Sequence, residues 1–418
     1  MCIIYIINYL HKGIILKNLY DVAIIGAGAS GLTLAILLAQ KRKKVILLER
    51  QDRGGKKILA SGNGHCNIGN LNISSKKYKA NNKELITYLI NNCSPKSIVD
   101  FFNTLGLEII NKSDGKLFPK SMEAKSVLNL LEAKAKSLNI DIFYNIKDLQ
   151  IDSSFILSFN NNKVKAKNLV VATGSIAAPQ LGGNSSGLDI AKRFNHTITT
   201  LLPSLVPLIS KDKICKALNG LKIDVFVKLF INNKERTSVH GDILFRNYGV
   251  SGLAILDLSI EAVKAIDNKQ DIFIVVDFLK DYKKDKAIKY LKSKVDKNRA
   301  LPINLWLNGF IHSKLANFIT KELNLENLTE RDLNSSTIKK IAIALKEYKI
   351  KIEDFREFKY AEVALGGVNS NEINNNFESK LKKNLYFIGE VLDVVGQRGG
   401  YNFHFAWCSA ILTAKNFN

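Results

Sequence analysis

Three apolar runs near the N-terminus set the reading of the chain. Val22–Ile25 is continuously apolar and ends on Gly26, as a strand buried on both faces does. Leu32–Ala39 has the length and composition of a buried helix. Val45–Leu48 is a second buried strand that ends on Glu49. Further along, the segments Lys83–Leu105 and Ala124–Ser137 carry apolar residues at helical spacing. Leu169–Gly174 (LVVATG) is another apolar strand. The middle of the chain changes character. Leu221–Asn232 and Asp271–Leu279 are rich in Val, Ile and Phe and predict strands, whereas Lys283–Lys294, Phe310–Leu323 and Ser336–Leu345 predict helices. The C-terminal part returns to the first grammar, with a strand in Asn384–Asp393 that ends in Gly-Glu and a helix over Phe403–Ala414.

The first strand–helix–strand unit carries chemistry at its turn. Gly26-Ala27-Gly28-Ala29-Ser30-Gly31 has the glycine spacing that binds a dinucleotide. The first glycine permits the tight turn, the second lets a pyrophosphate approach the backbone, and the third lets the helix pack close to the strand. The helix N-terminus offers free N–H groups and a partial positive charge to the phosphates. Glu49 stands where a carboxylate accepts hydrogen bonds from the adenosine ribose. From Arg50 the chain runs into a Gly- and Asn-rich loop, with Gly55, Lys56, Lys57, Ser61, Gly62, Asn63, Gly64, Cys66 and Asn67. Such a loop supplies backbone donors and positive charge for a second long contact, as in proteins that hold FAD extended. Ala172-Thr173-Gly174 closes the strand that returns to this domain. Near the C-terminus Gly389, Glu390 and Asp393 follow a strand, where an acid can bond ribityl hydroxyls. Gly399-Gly400-Tyr401-Asn402 opens a helix whose N-terminus would stabilise negative charge on a reduced flavin.

These segments together resemble the BaiN/RdsA-type family of NAD(P)/FAD-dependent oxidoreductases, the YhiN-like flavoproteins. The resemblance covers nearly the whole chain after residue 20. It is carried by GAGASG at Gly26–Gly31, GGKKILASGNGHCN at Gly54–Asn67, LFP at Leu117–Pro119, ATG at Ala172–Gly174 and LVPL at Leu205–Leu208. Further carriers are NYGVSGLAILDLS at Asn247–Ser259, ALGGV at Ala364–Val368 and GEVLDVVGQRGGYNFHFAW at Gly389–Trp407. It departs from the family at His65, where an Arg is usual, and at Val395, where an acid is usual. The resemblance implies FAD as cofactor, NAD(P)H as electron donor, and a β-rich domain carrying helices inserted into the FAD domain. The expected fold is therefore α/β: a Rossmann-like FAD-binding domain interrupted by an inserted β-rich domain with a helical subdomain. Its first part spans 21–195, the insert 196–355 and the second part 356–418. With no long Pro/Gly/Ser linker, the domains are expected to pack closely. Residues 1–20 have neither a basic n-region nor a small-residue cleavage site, and are expected to be an extension rather than a signal peptide.

Length and composition fit this picture, since 418 residues suffice for two or three domains. The five cysteines are scattered, odd in number and without a CxxC, which predicts reduced thiols in a cytoplasmic protein and no metal site. No apolar run is long enough to cross a bilayer. The formal net charge of +23 has two readings. One is a polyanionic partner such as RNA. The other is a genome rich in A and T, which favours Lys, Asn and Ile codons. The run Lys280–Arg299 reads as a solvated helix face.

The family includes a reductase of a uridine in large-subunit ribosomal RNA. A dihydrouridine-forming reaction on a ribosomal RNA partner is therefore the first expectation, with Cys66 and Tyr401 as candidate proton donors. A small-molecule reductase acting on an enone or imine is the alternative. A third reading is an RNA-binding protein with a structural flavin. The oligomeric state is not legible in the sequence.

Overall fold

The computed structural model describes residues 19–417 apart from residue 113. The chain divides into two units: the chain up to Leu201 joined by the return from Ala364, and Leu202–Val363. The expected extension lies outside the described residues up to residue 18. Leu19 and Tyr20 already open β1.

The N-terminal part of the first unit contains β1 (Leu19–Ile25), α1 (Ala29–Gln40), β2 (Val45–Leu48), α2 (Lys56–Ala60), β3 (Gly69–Asn70), β4 (Tyr78–Lys79), α3 (Lys83–Asn92) and α4 (Pro95–Thr104). It continues with β5 (Ile109–Asn111), β6 (Lys116–Pro119), α5 (Ala124–Ser137), β7 (Asp141–Phe143), β8 (Gln150–Ile151), β9 (Ile156–Phe159), β10 (Asn162–Val171) and α6 (Ser186–Arg193). The second unit holds β11 (Leu202–Ser204), β12 (Leu208–Ile209), α7 (Lys213–Ala217), β13 (Lys222–Ile231), β14 (Lys234–Arg246), β15 (Gly249–Ser251), α8 (Leu253–Asp267) and β16 (Ile272–Asp277). It goes on with α9 (Lys284–Ser293), α10 (Ile303–Asn308), α11 (Ser313–Glu322), α12 (Ser335–Lys346), β17 (Tyr348–Lys351) and β18 (Asp354–Phe355). The chain then returns through β19 (Val363–Leu365) to β20 (Leu385–Phe387), β21 (Val395–Gly396) and α13 (Tyr401–Lys415).

The first unit is built on a sheet in the order β7-β2-β1-β10-β9-β8, with β20 also on β10. The β7, β2, β1, β10 and β20 pairings are parallel. Parallel strands are covered on both faces, which is why β2 is apolar and buried at all four positions. α1 packs against α13 and α5. α13 is buried round most of its circumference, as its near-uniform apolar sequence requires.

The second unit is an antiparallel sheet in the order β17-β16-β13-β14-β15-β12-β18. β13 alternates exposed and buried positions, so one face is wet. α8 lies against β13 and β14, and α9–α12 pack in pairs among themselves. Three of them lie on the expected helical segments Lys283–Lys294, Phe310–Leu323 and Ser336–Leu345.

The helical spacing expected around Lys83–Leu105 belongs to two helices, α3 and α4, because Pro95 sits at the first position of a new helix and cannot continue the old one. Two expectations differ from the structure. The unit boundaries fall after residues 201 and 363 rather than 195 and 355. His196 bonds Glu372 and Ser379, and the Thr199 amide donates to Gly367, which ties 196–201 to the first unit. The Arg356 and Glu362 amides donate to Pro207 and Leu205, which ties the later segment to the second. The cysteines are not all isolated reduced thiols: Cys93 and Cys408 form a disulfide between the end of α3 and the middle of α13, with Cα atoms 5.7 Å apart. Their separation of 315 residues hides this in the sequence. Among the described residues, Cys66 and Cys215 are the free cysteines, and both are buried. Among the described residues, no helix is long and apolar enough to cross a membrane.

Candidate cofactor site

The site lies wholly in the first unit, at the C-terminal ends of β1, β2, β10 and β20. Gly26 turns with φ of 105°, and a Cβ there would lie 2.5 Å from the Ala172 carbonyl oxygen. A Cβ at Gly31 would collide with the Gly26 carbonyl oxygen. Packing therefore dictates the first and third glycines. The middle one is different: a Cβ at Gly28 would meet nothing within 4 Å among the described residues, and its φ of −83° suits any residue. The protein itself gives no reason for glycine at the N-cap of α1. A ligand approaching the bare backbone does. Ala27 is buried, Ala29 lies beside it in the first turn, and Ser30 is buried with its Oγ beside Gly389.

Glu49 is fixed from both sides. One carboxylate oxygen accepts from the Ala27 amide at 2.8 Å and the other from the Gln51 amide at 2.8 Å. Each oxygen keeps a lone pair for a ribose hydroxyl. Arg50 beside it is exposed. The loop after it folds back over the turn. Gly55 donates its amide to the Ala27 carbonyl, and Gly54 sits too close to that carbonyl for a side chain. Lys56 is drawn to Asp52 at 2.7 Å and to Gln51 at 2.9 Å.

Lys57 joins the remote pieces. Its ammonium lies 2.8 Å from Glu390 and 3.4 Å from Ser175, with both charged side chains partly exposed. Thus the second loop, the strand end after Ala172-Thr173-Gly174 and the Gly389-Glu390 turn meet on one ion pair. Gly174 has φ of 73° and open space where a Cβ would be. Ser175 was not singled out by the sequence, and no spacing signal marks it.

Ser61 to Gly64 winds as a tight turn with Gly62, Asn63 and Gly64 all at positive φ, closed by the His65 and Cys66 amides donating to the Gly62 and Ser61 carbonyls. Cys66 also has positive φ, at 56°, and is completely buried. Burial pushes its thiol up to about 11. The Asn67 side-chain oxygen is buried beside Gly400, without a hydrogen-bond partner among the described residues. His65, exposed, places Nδ1 2.6 Å from the Met122 carbonyl.

α13 begins on Gly399 and Gly400, with φ of 116° and 96°. The Asn70 side chain donates to the Gly399 carbonyl at 3.0 Å. Asn402 clamps Gly396, accepting from its amide at 2.7 Å and donating to its carbonyl at 2.9 Å. The Tyr401 hydroxyl donates to the Asn72 carbonyl at 3.2 Å, and burial raises its pKa. Asp393 is buried. One of its oxygens accepts from the Ser370 amide and the other has no partner among the described residues, and burial raises its pKa.

These residues fit FAD. The α1 N-terminus with Gly28 would hold the diphosphate, Glu49 the adenosine ribose, and the loops at Lys57, Ser61–Asn67 and Gly399–Tyr401 the flavin half.

The chain matches the HI0933-like protein Rossmann domain over residues 20–416 and belongs to that family. The resemblance drawn from the motifs therefore holds. The chain is 29% identical over 402 residues to the 3-dehydro-bile acid delta(4,6)-reductase of Clostridium scindens, covering 94% of this chain and 98% of that protein. It is 27% identical over 401 residues to the ribosomal RNA dihydrouridine synthase of Escherichia coli, covering 95% and 98%. The enzyme with the same description from Haemophilus influenzae is 28% identical over 407 residues, covering 94% and 98%. The chain is an FAD-binding oxidoreductase.

Proposed function

We propose that the protein reduces a carbon–carbon double bond conjugated to a carbonyl, with NAD(P)H as electron donor, and that the substrate is a uridine of ribosomal RNA. The relatives' names, a steroid-type reductase and dihydrouridine synthases, share that chemistry. Bound FAD supplies the hydride. The protein must then place the double bond, exclude water, and give a proton to the carbon next to the carbonyl.

Cys66 and Tyr401 are the proton donors this reading assigns. Both remain protonated at neutral pH, because burial disfavours their anions. The charged pair Lys57–Glu390 holds the loops around the flavin half in register.

The observation that favours RNA over a neutral small molecule is the surplus of 23 positive charges. A ribosomal RNA substrate also carries the expected cytoplasmic location with it. The reading is tested by measuring RNA-dependent turnover as salt rises. A polyanionic substrate loses kcat/KM steeply with salt, whereas a neutral enone does not respond. Salt-independent turnover of an enone, with none on RNA, would move the assignment to the small-molecule reading.

A further inference from the structure

The LFP motif and the lysines around it flank the loops of the cofactor site. β5 and β6 form a hairpin, and β6 also pairs with β3, with Asn70 opposite Lys116. β4 pairs with β21, which leads into the Gly399–Tyr401 turn. The hairpin and the 70–79 segment thus both frame the start of α13. Contacts confirm it: the Lys116 side chain lies 3.7 Å from where a Gly399 Cβ would be, and the Lys77 ammonium lies 6.0 Å from the Tyr401 ring centre. Phe118 of LFP reaches the Ser61–Gly64 turn, 3.7 Å from where a Gly62 Cβ would be. Lys112 stands over the Phe118 ring, 5.4 Å from its centre.

The charges here are not balanced. Lys116 is paired with Asp114. Lys76, Lys77 and Lys112 make no ion pair among the described residues, and Lys76 and Lys112 are exposed. The basic run of the second unit is mixed: Lys280 pairs with Asp224, Lys284 with Glu347 and Arg299 with Glu330, whereas Lys286, Lys289 and Lys292 of α9 make no ion pair among the described residues. What sets Lys76, Lys77 and Lys112 apart is their place beside the Ser61–Gly64 and Gly399–Tyr401 turns, where their charge would meet a polyanion at the site.

We propose that Lys76, Lys77 and Lys112 form a strip that binds the phosphate backbone of the RNA substrate beside the Gly399–Tyr401 turn. The proposal rests on the ribosomal RNA reading above and locates the contact that reading needs. The strip would align the RNA so that one uridine enters at the turn. Phe118 supports Lys112 from below.

The test compares K76Q/K77Q/K112Q with K286Q/K289Q/K292Q, which removes the same charge from α9. Both are full-length, FAD-loaded proteins, and binding is measured to unmodified large-subunit ribosomal RNA transcribed in vitro. The strip variant should lose RNA affinity on the order of tenfold or more, with a log–log salt slope shallower by about 2. Its flavin content and its anaerobic reduction by NAD(P)H should match wild type, and the α9 variant should bind as wild type. Lys112→Gln alone, at an exposed position, should flatten the slope by about 0.7 and remains informative where the triple variant folds poorly. Equal binding by the strip variants and wild type, or a loss confined to the α9 variant, overturns the strip while leaving the RNA reading intact. Wild-type protein that neither binds nor reduces the RNA overturns the RNA reading and the strip with it.

Discussion

At the scale of single residues, the three glycines of the first turn separate packing from binding. Gly31→Ala drives a methyl into the Gly26 carbonyl and should prevent folding or cost several kcal/mol. Gly28→Ala meets no atom of the described residues, so the variant should fold with a wild-type melting temperature yet purify with little flavin. Flavin-to-protein ratios and thermal melts read both outcomes; a fully yellow Gly28→Ala protein would refute the cradle. Glu49→Ala strips the acceptor from two backbone amides and should lower stability by about 1–3 kcal/mol as well as flavin retention. Of the two proton donors, a true one should lose at least tenfold in reoxidation by substrate on Cys66→Ala or Tyr401→Phe, with flavin reduction by NAD(P)H unchanged. Unchanged reoxidation in both would remove the assignment. The glycines and Glu49 were legible because each job needs one residue type at one spacing. The Lys57–Glu390 link was not, because its partners are 333 residues apart and only the folded sheet brings them together.

At the scale of elements, α13 carries most of the consequences. The Cys93–Cys408 disulfide fastens it to α3, and closing so long a loop restricts the unfolded chain. Reduction, or Cys408→Ser, should cost about 2–4 kcal/mol, seen as a lower denaturation midpoint. One turn earlier, His404 is completely buried. Its ring approaches the Cys93 backbone but makes no well-formed hydrogen bond, and burial pushes its pKa down to about 4. The unfolded chain takes up that proton near pH 6.5. Above about 6.5 the ring is neutral in both states and its contribution is complete. As the pH falls from about 6.5 to about 4, only the unfolded state gains the proton, so stability drops by up to about 3 kcal/mol. Burial also lowers His196, despite Glu372 beside it, and adds loss in the same direction. Thermal midpoints from pH 7 to 4 should fall, and His404→Leu should flatten the curve; an unaltered curve in that variant would exclude His404 as the cause. Elements with strong periodicity, such as α5, were legible residue for residue. α8 was not singled out as a helix, because its apolar run follows Gly252 within a segment read only as a motif. β14 escaped because it is polar along much of its length and gains its strand geometry from β13.

At the scale of the whole molecule, the β-rich insert with helices was expected from the family resemblance, and the pattern along the chain supplied only individual strands and helices within it, such as β13, β16 and α9. The disulfide was not expected. The net charge was legible in amount but not in arrangement, since a sum does not say which lysines the fold places beside the start of α13. The most direct measurement is anaerobic. The purified protein is reduced with NAD(P)H, large-subunit ribosomal RNA lacking the modification is added, and the flavin absorbance is followed. The absorbance should return, and one RNA fragment should gain the mass of two hydrogen atoms. A flavin that stays reduced with RNA but is promptly reoxidised by a small enone would contradict the account.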